Sequence, residues 1–265
     1  MSAYASTPPR PPFVRTTVIY AAETKYELLK VMRMPAYVIP TLTFPLLFYI
    51  MFGLIFGRQN VGSVSLSTYL LATYGAFAVI GASLFGFAVG VSMERGLGWL
   101  QLKRASPMPP AAYLFAKTMV SLIFSATVLV ALIILAVAFG GVRIPPMATL
   151  ALVGTLVAGA LPFAAMGLAI GCYSAPNAAP AIANIIFLPM AFCSGLWLPL
   201  TILPKVFQIA APALPPYHLA QLALRLVGAP TIGTPAQHVA ALAAFTIIFL
   251  LLARRGFARE DVKIS

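Results

Sequence analysis

Between Arg143 and Lys205 the chain carries no Asp, Glu, Lys or Arg, and between Arg58 and Glu94 it carries none either. Water cannot solvate runs of this length and character, but a bilayer can. A helix needs about 20 apolar residues to cross about 30 Å of hydrocarbon, and inside that slab a helix satisfies its own backbone hydrogen bonds. Composition agrees. Of 265 residues 61% are apolar and 8% charged, against roughly 25% charged in a soluble domain. A soluble enzyme, a secreted disulfide scaffold and a disordered chain are excluded. Cys172 and Cys193 both lie in apolar runs and read as small core residues.

Six spans are expected, at 36–57, 67–93, 118–140, 147–173, 181–198 and 236–253, the turn-rich SAPNAAP stretch dividing the fourth from the fifth. Residues 14–34 are amphipathic at helical spacing, with Val14, Val18, Leu28, Leu29 and Met32 on one face and Arg15, Glu23, Glu27, Lys30 and Arg33 opposite. That pattern reads as a helix lying in the membrane interface. Residues 199–235 are too apolar for a solvated loop and too proline-broken to cross, so they read as two short helices dipping into the outer leaflet. The expected fold is all-α: a polytopic membrane protein of six transmembrane helices, with an N-terminal interfacial helix and an outer-leaflet re-entrant hairpin between spans five and six. Its parts are a cytoplasmic N-terminus at 1–35, a permease domain at 36–253 with an inner loop at 94–110, and a cytoplasmic tail at 254–265. No signal peptide is read at the N-terminus, so the first span is expected to direct insertion.

The net charge is +12. A basic chain often binds nucleic acid, but here the cations flank apolar runs and read as topology signals facing anionic lipid. With the N-terminus inside, Arg10, Arg15, Lys25, Lys30, Arg33, Arg95, Lys103, Arg104, Lys117, Arg254, Arg255, Arg259 and Lys263 are cytoplasmic; only Arg58, Arg143, Lys205 and Arg225 are outside. The positive-inside rule therefore places both termini in the cytoplasm. Lys117 is expected to snorkel to the inner interface.

Catalytic chemistry is missing from the sequence. The Lys117-Thr118 pair lacks the glycines of a phosphate loop. His218 and His238 have no acid nearby and no further ligand at metal spacing, and read as plain outer-surface residues. No acid falls mid-span, where an ion-coupled carrier would keep one.

Two constellations remain. The inner loop runs Met93-Glu94-Arg95-Gly96-Leu97-Gly98-Trp99-Leu100-Gln101-Leu102-Lys103-Arg104-Ala105-Ser106-Pro107. The outer segment carries Ser194-Gly195, Pro199, Leu203-Pro204, Pro216-Tyr217 and Arg225. In order and spacing they resemble the membrane subunit of type-2 ABC exporters, permeases for drugs, antibiotics and polysaccharides. Pro215 stands where that family has Asn, and the inner-loop glycines come early.

The resemblance implies a pair of permeases, homodimer or heterodimer, each above a separate ABC ATPase that holds the ATP and magnesium; this chain itself would need no cofactor. It implies that Glu94, Arg95, Gly96, Trp99, Leu100, Arg104 and Pro107 form a coupling helix, Glu94 and Arg95 touching the ATPase or the interfacial helix and Trp99 and Leu100 supplying an apolar knob. Gly195, Pro199, Pro204, Pro216, Tyr217 and Arg225 would shape the outer hairpin. Tyr49, Tyr74, Phe77, Phe187 and Trp197 are candidates for an apolar cargo path, although aromatics in spans also serve as core or lipid-facing residues. The pairs Gly53/Gly57, Gly86/Gly90 and Gly167/Gly171 fit a subunit seam or, more commonly, close packing within one subunit.

The expected activity is ATP-driven export of a hydrophobic or amphipathic cargo across a bacterial inner membrane. The competing readings are an ion-coupled carrier or channel, a lipid-modifying membrane enzyme, and a scaffold.

Overall fold

The computed structural model describes residues 13–106 and 108–264. Arg10, Pro107 and the side chains of Arg15, Arg104, Arg259 and Lys263 lie outside the described residues. The chain is helical nearly throughout: α1 (Phe13–Met32), α2 (Pro35–Phe48) continued by π-helical turns (Tyr49–Leu54), a two-residue-per-strand hairpin (Asn60–Val61 with Val64–Ser65), α3 (Leu66–Gly96), α4 (Trp99–Ala105), α5 (Pro110–Ala138), α6 (Pro146–Ala158), α7 (Leu161–Tyr173), α8 (Ala179–Cys193), α9 (Lys205–Ala210), α10 (Pro215–Leu226) and α11 (Pro235–Ile264). Among the described residues five segments are long and apolar enough to cross a membrane, and α8 is a shorter apolar helix.

The axis of the molecule is α3. Ser65 caps its start by accepting from the Thr68 N–H at 3.3 Å, which satisfies one of the orphan donors of a helix N-terminus. Gly98, at φ +72°, turns the chain sharply into α4; a side chain there would be strained. α3 packs against α7 on one side and α5 on another, while α2 and α8 flank its remaining face and α10 crosses its first half. Burial separates the helices into two kinds. The apolar windows of α3 and of the α6–α7 pair are each 67% buried, whereas Tyr37–Leu54 and the α11 window are each 17% buried. The first group forms the core and the second offers its surface to lipid or a partner.

Glycine sets the α3–α7 distance. A Cβ on Gly167 would lie 2.3 Å from the Leu84 backbone oxygen, and one on Gly171 would lie 2.9 Å from the Val91 Cβ. This pair therefore serves packing within the subunit, the commoner of the two roles weighed from sequence. α6 and α7 break at Gly159–Ala160, just before Pro162 in the first turn of α7. The break admits α10: a Cβ on Gly159 would sit 2.2 Å from the Leu219 side chain.

Two boundaries differ from the sequence expectation. α5 begins at Pro110 rather than 118, because Lys117, whose charge ended the apolar run, is buried inside the helix bundle instead of snorkelling. α8 ends at Cys193 although apolar residues continue to 198. Gly195, at φ +75°, stops it, with the Leu196 N–H reaching back to the Ala191 carbonyl and the Gly195 N–H to Phe192, a Schellman closure. The 199–235 segment holds the short helices α9 and α10, with 3-10 turns at Leu200–Ile202 and Ala211–Ala213.

Replacing Gly167 with Ala should lower stability by about 1–3 kcal/mol, because the new methyl meets rigid backbone. Gly154→Ala, in the same span with nothing within 4 Å of the added carbon, should leave stability unchanged or raise it by up to about 1 kcal/mol. Thermal unfolding of the two variants in the same detergent, followed by circular dichroism, checks the pair.

Candidate functional site

At the α4 end of the bundle, six of the chain's scarce charges meet. α1 lies against α5, with Tyr20 edge-on to Phe115 at 5.2 Å. Its polar face turns into the protein: Glu27 is buried, while Val18, Leu29 and Met32 on the apolar face are exposed. Glu23, Glu27 and Lys30 share that inward face because residues three and four apart align on a helix. Glu94 enters from the last turn of α3, and Tyr113 and Lys117, also four apart, from the first turns of α5.

Lys117 Nζ lies 2.8 Å from Glu27 Oε1 and 3.4 Å from Glu94 Oε1. Lys30 pairs with Glu27 at 2.5 Å and also with Glu94. The Tyr113 hydroxyl donates to Glu94 Oε2 at 2.6 Å. Two carboxylates thus face two ammonium groups, and the buried set is electrically neutral. Lys103 of α4 extends it, pairing with Glu23 at 2.5 Å and lying 4.7 Å from the Tyr113 ring centre.

Gly90 makes the crowding possible, since a Cβ there would sit 2.8 Å from Lys117 Nζ. Burial works to lower the Lys30 pKa, but the adjacent Glu94 and Glu27 carboxylates outweigh it and hold the group above its ordinary value.

The residues following Glu94 each secure a different neighbour. Arg95 Nη1 donates to the Gly171 carbonyl at 2.6 Å and lies 3.4 Å from that of Ser174, occupying the open acceptors at the C-terminus of α7. Gly96 lets Pro176 of the α7–α8 loop approach to 2.2 Å from where a Cβ would be. In α4, Leu100 packs inward beside Phe87, Val91 and Tyr113, whereas Leu97, Trp99 and Leu102 are 59%, 44% and 70% exposed. The knob expected from Trp99 and Leu100 is therefore redrawn: Leu100 anchors the helix, and Trp99 projects with Leu97 and Leu102.

A second feature is a groove of about 510 Å³ between α2, α3 and α8. Its walls are apolar apart from Tyr37, Thr41 and Asn184. Of the five path candidates, Phe77 and Phe187 line it, stacked at 4.9 Å. Tyr49 and Tyr74 do not; both are buried, their hydroxyls bonded to Ser67 and to the Trp197 carbonyl. Trp197 sits above the groove against Phe48 and Phe77.

At the opposite end, Pro199 and Pro204 precede the 3-10 turn and α9, Pro216 lies in the first turn of α10, and Arg225 is exposed in its last turn. Tyr217 is buried against both histidines. The histidines are not plain surface residues: His238 is 6% exposed and meets His218. From sequence Glu27 and Lys30 read only as part of a polar helix face and Lys117 as an interface anchor, and Tyr113 is not singled out at all. The available signal was that three of the chain's five acids fall on residues 23, 27 and 94.

Replacing Lys117 with Met strands two buried carboxylates with one ammonium, and the loss should reach about 3–5 kcal/mol. The double variant Lys117→Met with Glu27→Gln restores the balance and should recover a large part of that loss. Unfolding midpoints of the wild type, single and double variants measure it.

Residues 20–227 match the ABC-2 type transporter family, a stretch running from within α1 through the whole of α10 and including both the charge cluster and α4. The chain is also similar to the protein named "Putative transport permease YvfS" of Bacillus subtilis (strain 168), at 25% identity over 230 residues, spanning 86% of this chain and 92% of that one. Family and architecture agree: this chain belongs to the ABC-2 type transporters and is a membrane permease subunit of that class.

Proposed function

We propose that this permease exports a hydrophobic or amphipathic cargo, driven by ATP hydrolysis on a separate ABC ATPase that binds ATP and magnesium and docks on α4. The carrying observation is the pairing of an exposed apolar foot with a stiff mounting: Leu97, Trp99 and Leu102 project, while Leu100, Lys103, Glu94 and Arg95 tie the same segment to α1, α3, α5 and α7. A foot held by so many elements transmits a push as rigid-body motion, and an exposed aromatic with two leucines suits a partner groove. Glu94 and Arg95 brace this mount from within.

In this reading α8 completes a sixth span and 199–235 is the re-entrant hairpin on the outer leaflet. α8 alone extends about 22 Å at 1.5 Å per residue, so Gly195–Leu198 would finish the crossing. Both termini and α4 are cytoplasmic in a bacterial inner membrane, following the cation distribution. A second permease copy covers the sparsely buried α2 side, and the apolar groove beside Phe77 and Phe187 then opens on the seam and receives cargo.

Leu102→Glu combined with Trp99→Ala should leave membrane insertion and thermal stability intact, since both side chains are exposed. It should abolish co-purification of the ATPase and cargo-stimulated ATP hydrolysis. Pull-down from membranes co-expressing a candidate ABC ATPase from the same source, with hydrolysis measured in proteoliposomes, decides it. Retained association, or uphill transport by the permease alone, refutes the assignment.

A further inference from the structure

At the hairpin end, His218 of α10 and His238 of α11 face each other, Nδ1 to Nδ1 at 2.9 Å. Each ring is fixed from behind. His218 Nε2 lies 3.0 Å from the Pro212 carbonyl, and His238 Nε2 lies 2.8 Å from the Ile232 carbonyl. A carbonyl oxygen only accepts, so both Nε2 atoms must carry hydrogen to make those bonds. Two neutral histidines hold two ring hydrogens, and both are then committed. The Nδ1 lone pairs would point at each other across 2.9 Å. Moving one hydrogen to Nδ1 satisfies the middle contact but leaves an Nε2 lone pair against a carbonyl. Three contacts need three hydrogens.

We infer that His218 and His238 form a proton-binding site, a clasp between α10 and α11 whose three hydrogen bonds are complete only when the pair holds one proton more than two neutral histidines. With that proton the middle bond becomes Nδ1–H···Nδ1 and is charge-assisted. A second added proton would set two Nδ1–H groups face to face and open the clasp again.

The surroundings leave the pair to govern itself. Tyr217, on α10, is the titratable group against both rings. α10 otherwise carries Arg225 at its far end, α9 carries Lys205, α6, the Ala211–Ala213 turn and residues 227–234 carry no charge, and the first charge along α11 is Arg254. On α3 the tyrosines Tyr69 and Tyr74 lie along its first half and Glu94 at its other end. No carboxylate on any of these elements can neutralise an imidazolium here, so the extra proton is held by its hydrogen bonds. Burial opposes the extra proton, and the three completed hydrogen bonds favour it. The clasp tightens as pH falls through the first step, because the pair holding that proton is the form with all three bonds made, and loosens as pH rises. Its bearing on cargo exit rests on the export reading; its existence does not.

The chain contains two histidines, so ring nitrogen spectra of the 15N-histidine-labelled permease in lipid nanodiscs, purified on a tag without histidine, report this pair alone. Between pH 8 and pH 5 both Nε2 should stay protonated while the pair takes up one proton with a scalar coupling between the two Nδ1 nuclei. The second uptake should fall more than about one pH unit lower, as for strongly coupled sites. His238→Phe should remove the coupling and the acid-induced slowing of amide exchange, corrected for intrinsic rates, across 212–238. Two independent titrations at one midpoint, or an Nε2 unprotonated in the neutral pair, would overturn the inference. So would stoichiometric zinc uptake at pH 7.5 with no proton step, which would make the pair a metal clip.

Discussion

Two ammonium groups and two carboxylates, packed together where α1, α3 and α5 meet and buried except at Lys30, constrain the molecule more tightly than any apolar contact does. Apolar side chains slide against one another at little cost, and in lipid they gain little by choosing one neighbour over another. Buried charges do not have that freedom, because each is costly unless its partners are present. The consequences spread outward. α1 must turn its polar face toward the protein, α5 must begin two turns before its apolar run, and Gly90 leaves the space that the Lys117 ammonium occupies.

The cluster also fixes the orientation of α4. Its connection to α3 is a single glycine turn at Gly98, which alone would be a swivel. Lys103 reaching Glu23, Leu100 packed beside Val91, and Arg95 held on the α7 terminus remove that freedom. What is left outside is a small apolar surface with fixed orientation, so a displacement applied there reaches α1, α3, α5 and α7 together.

Much of this organisation was readable in the residues. Charge-free runs marked the apolar helices, the SAPNAAP turn divided two of them, and the order of inner-loop and outer-segment motifs carried the family. What escaped reading was set by partners distant in sequence. Glu27 looked like a solvated face because a helical wheel shows which residues align but not which side meets protein. Lys117 looked like an interface anchor because its two carboxylates lie 23 and 90 residues away. Leu100 and Trp99 are neighbours with the same chemistry, and only the packing of α4 on Val91 and Tyr113 separates anchor from knob. The end of α8 hung on Gly195 adopting a left-handed conformation inside an apolar stretch, where hydropathy gives no warning.

The two ends of α3 solve the same problem with different means. At the α4 end, three of the five acids in the chain are placed so that buried polar groups close as ion pairs. At the hairpin end no acid is available, and closure relies on backbone carbonyls, glycine turns and short-range hydrogen bonds: Ser63 to the Gly228 carbonyl, Gln221 accepting from the Ile232 N–H, and the two histidines. Bonds of the first kind are individually strong and must break together. Bonds of the second kind are weaker and can open one at a time. A helix bundle built this way is closed by ion pairs beside α4 and by separately breakable hydrogen bonds at the end where α10 packs on α3.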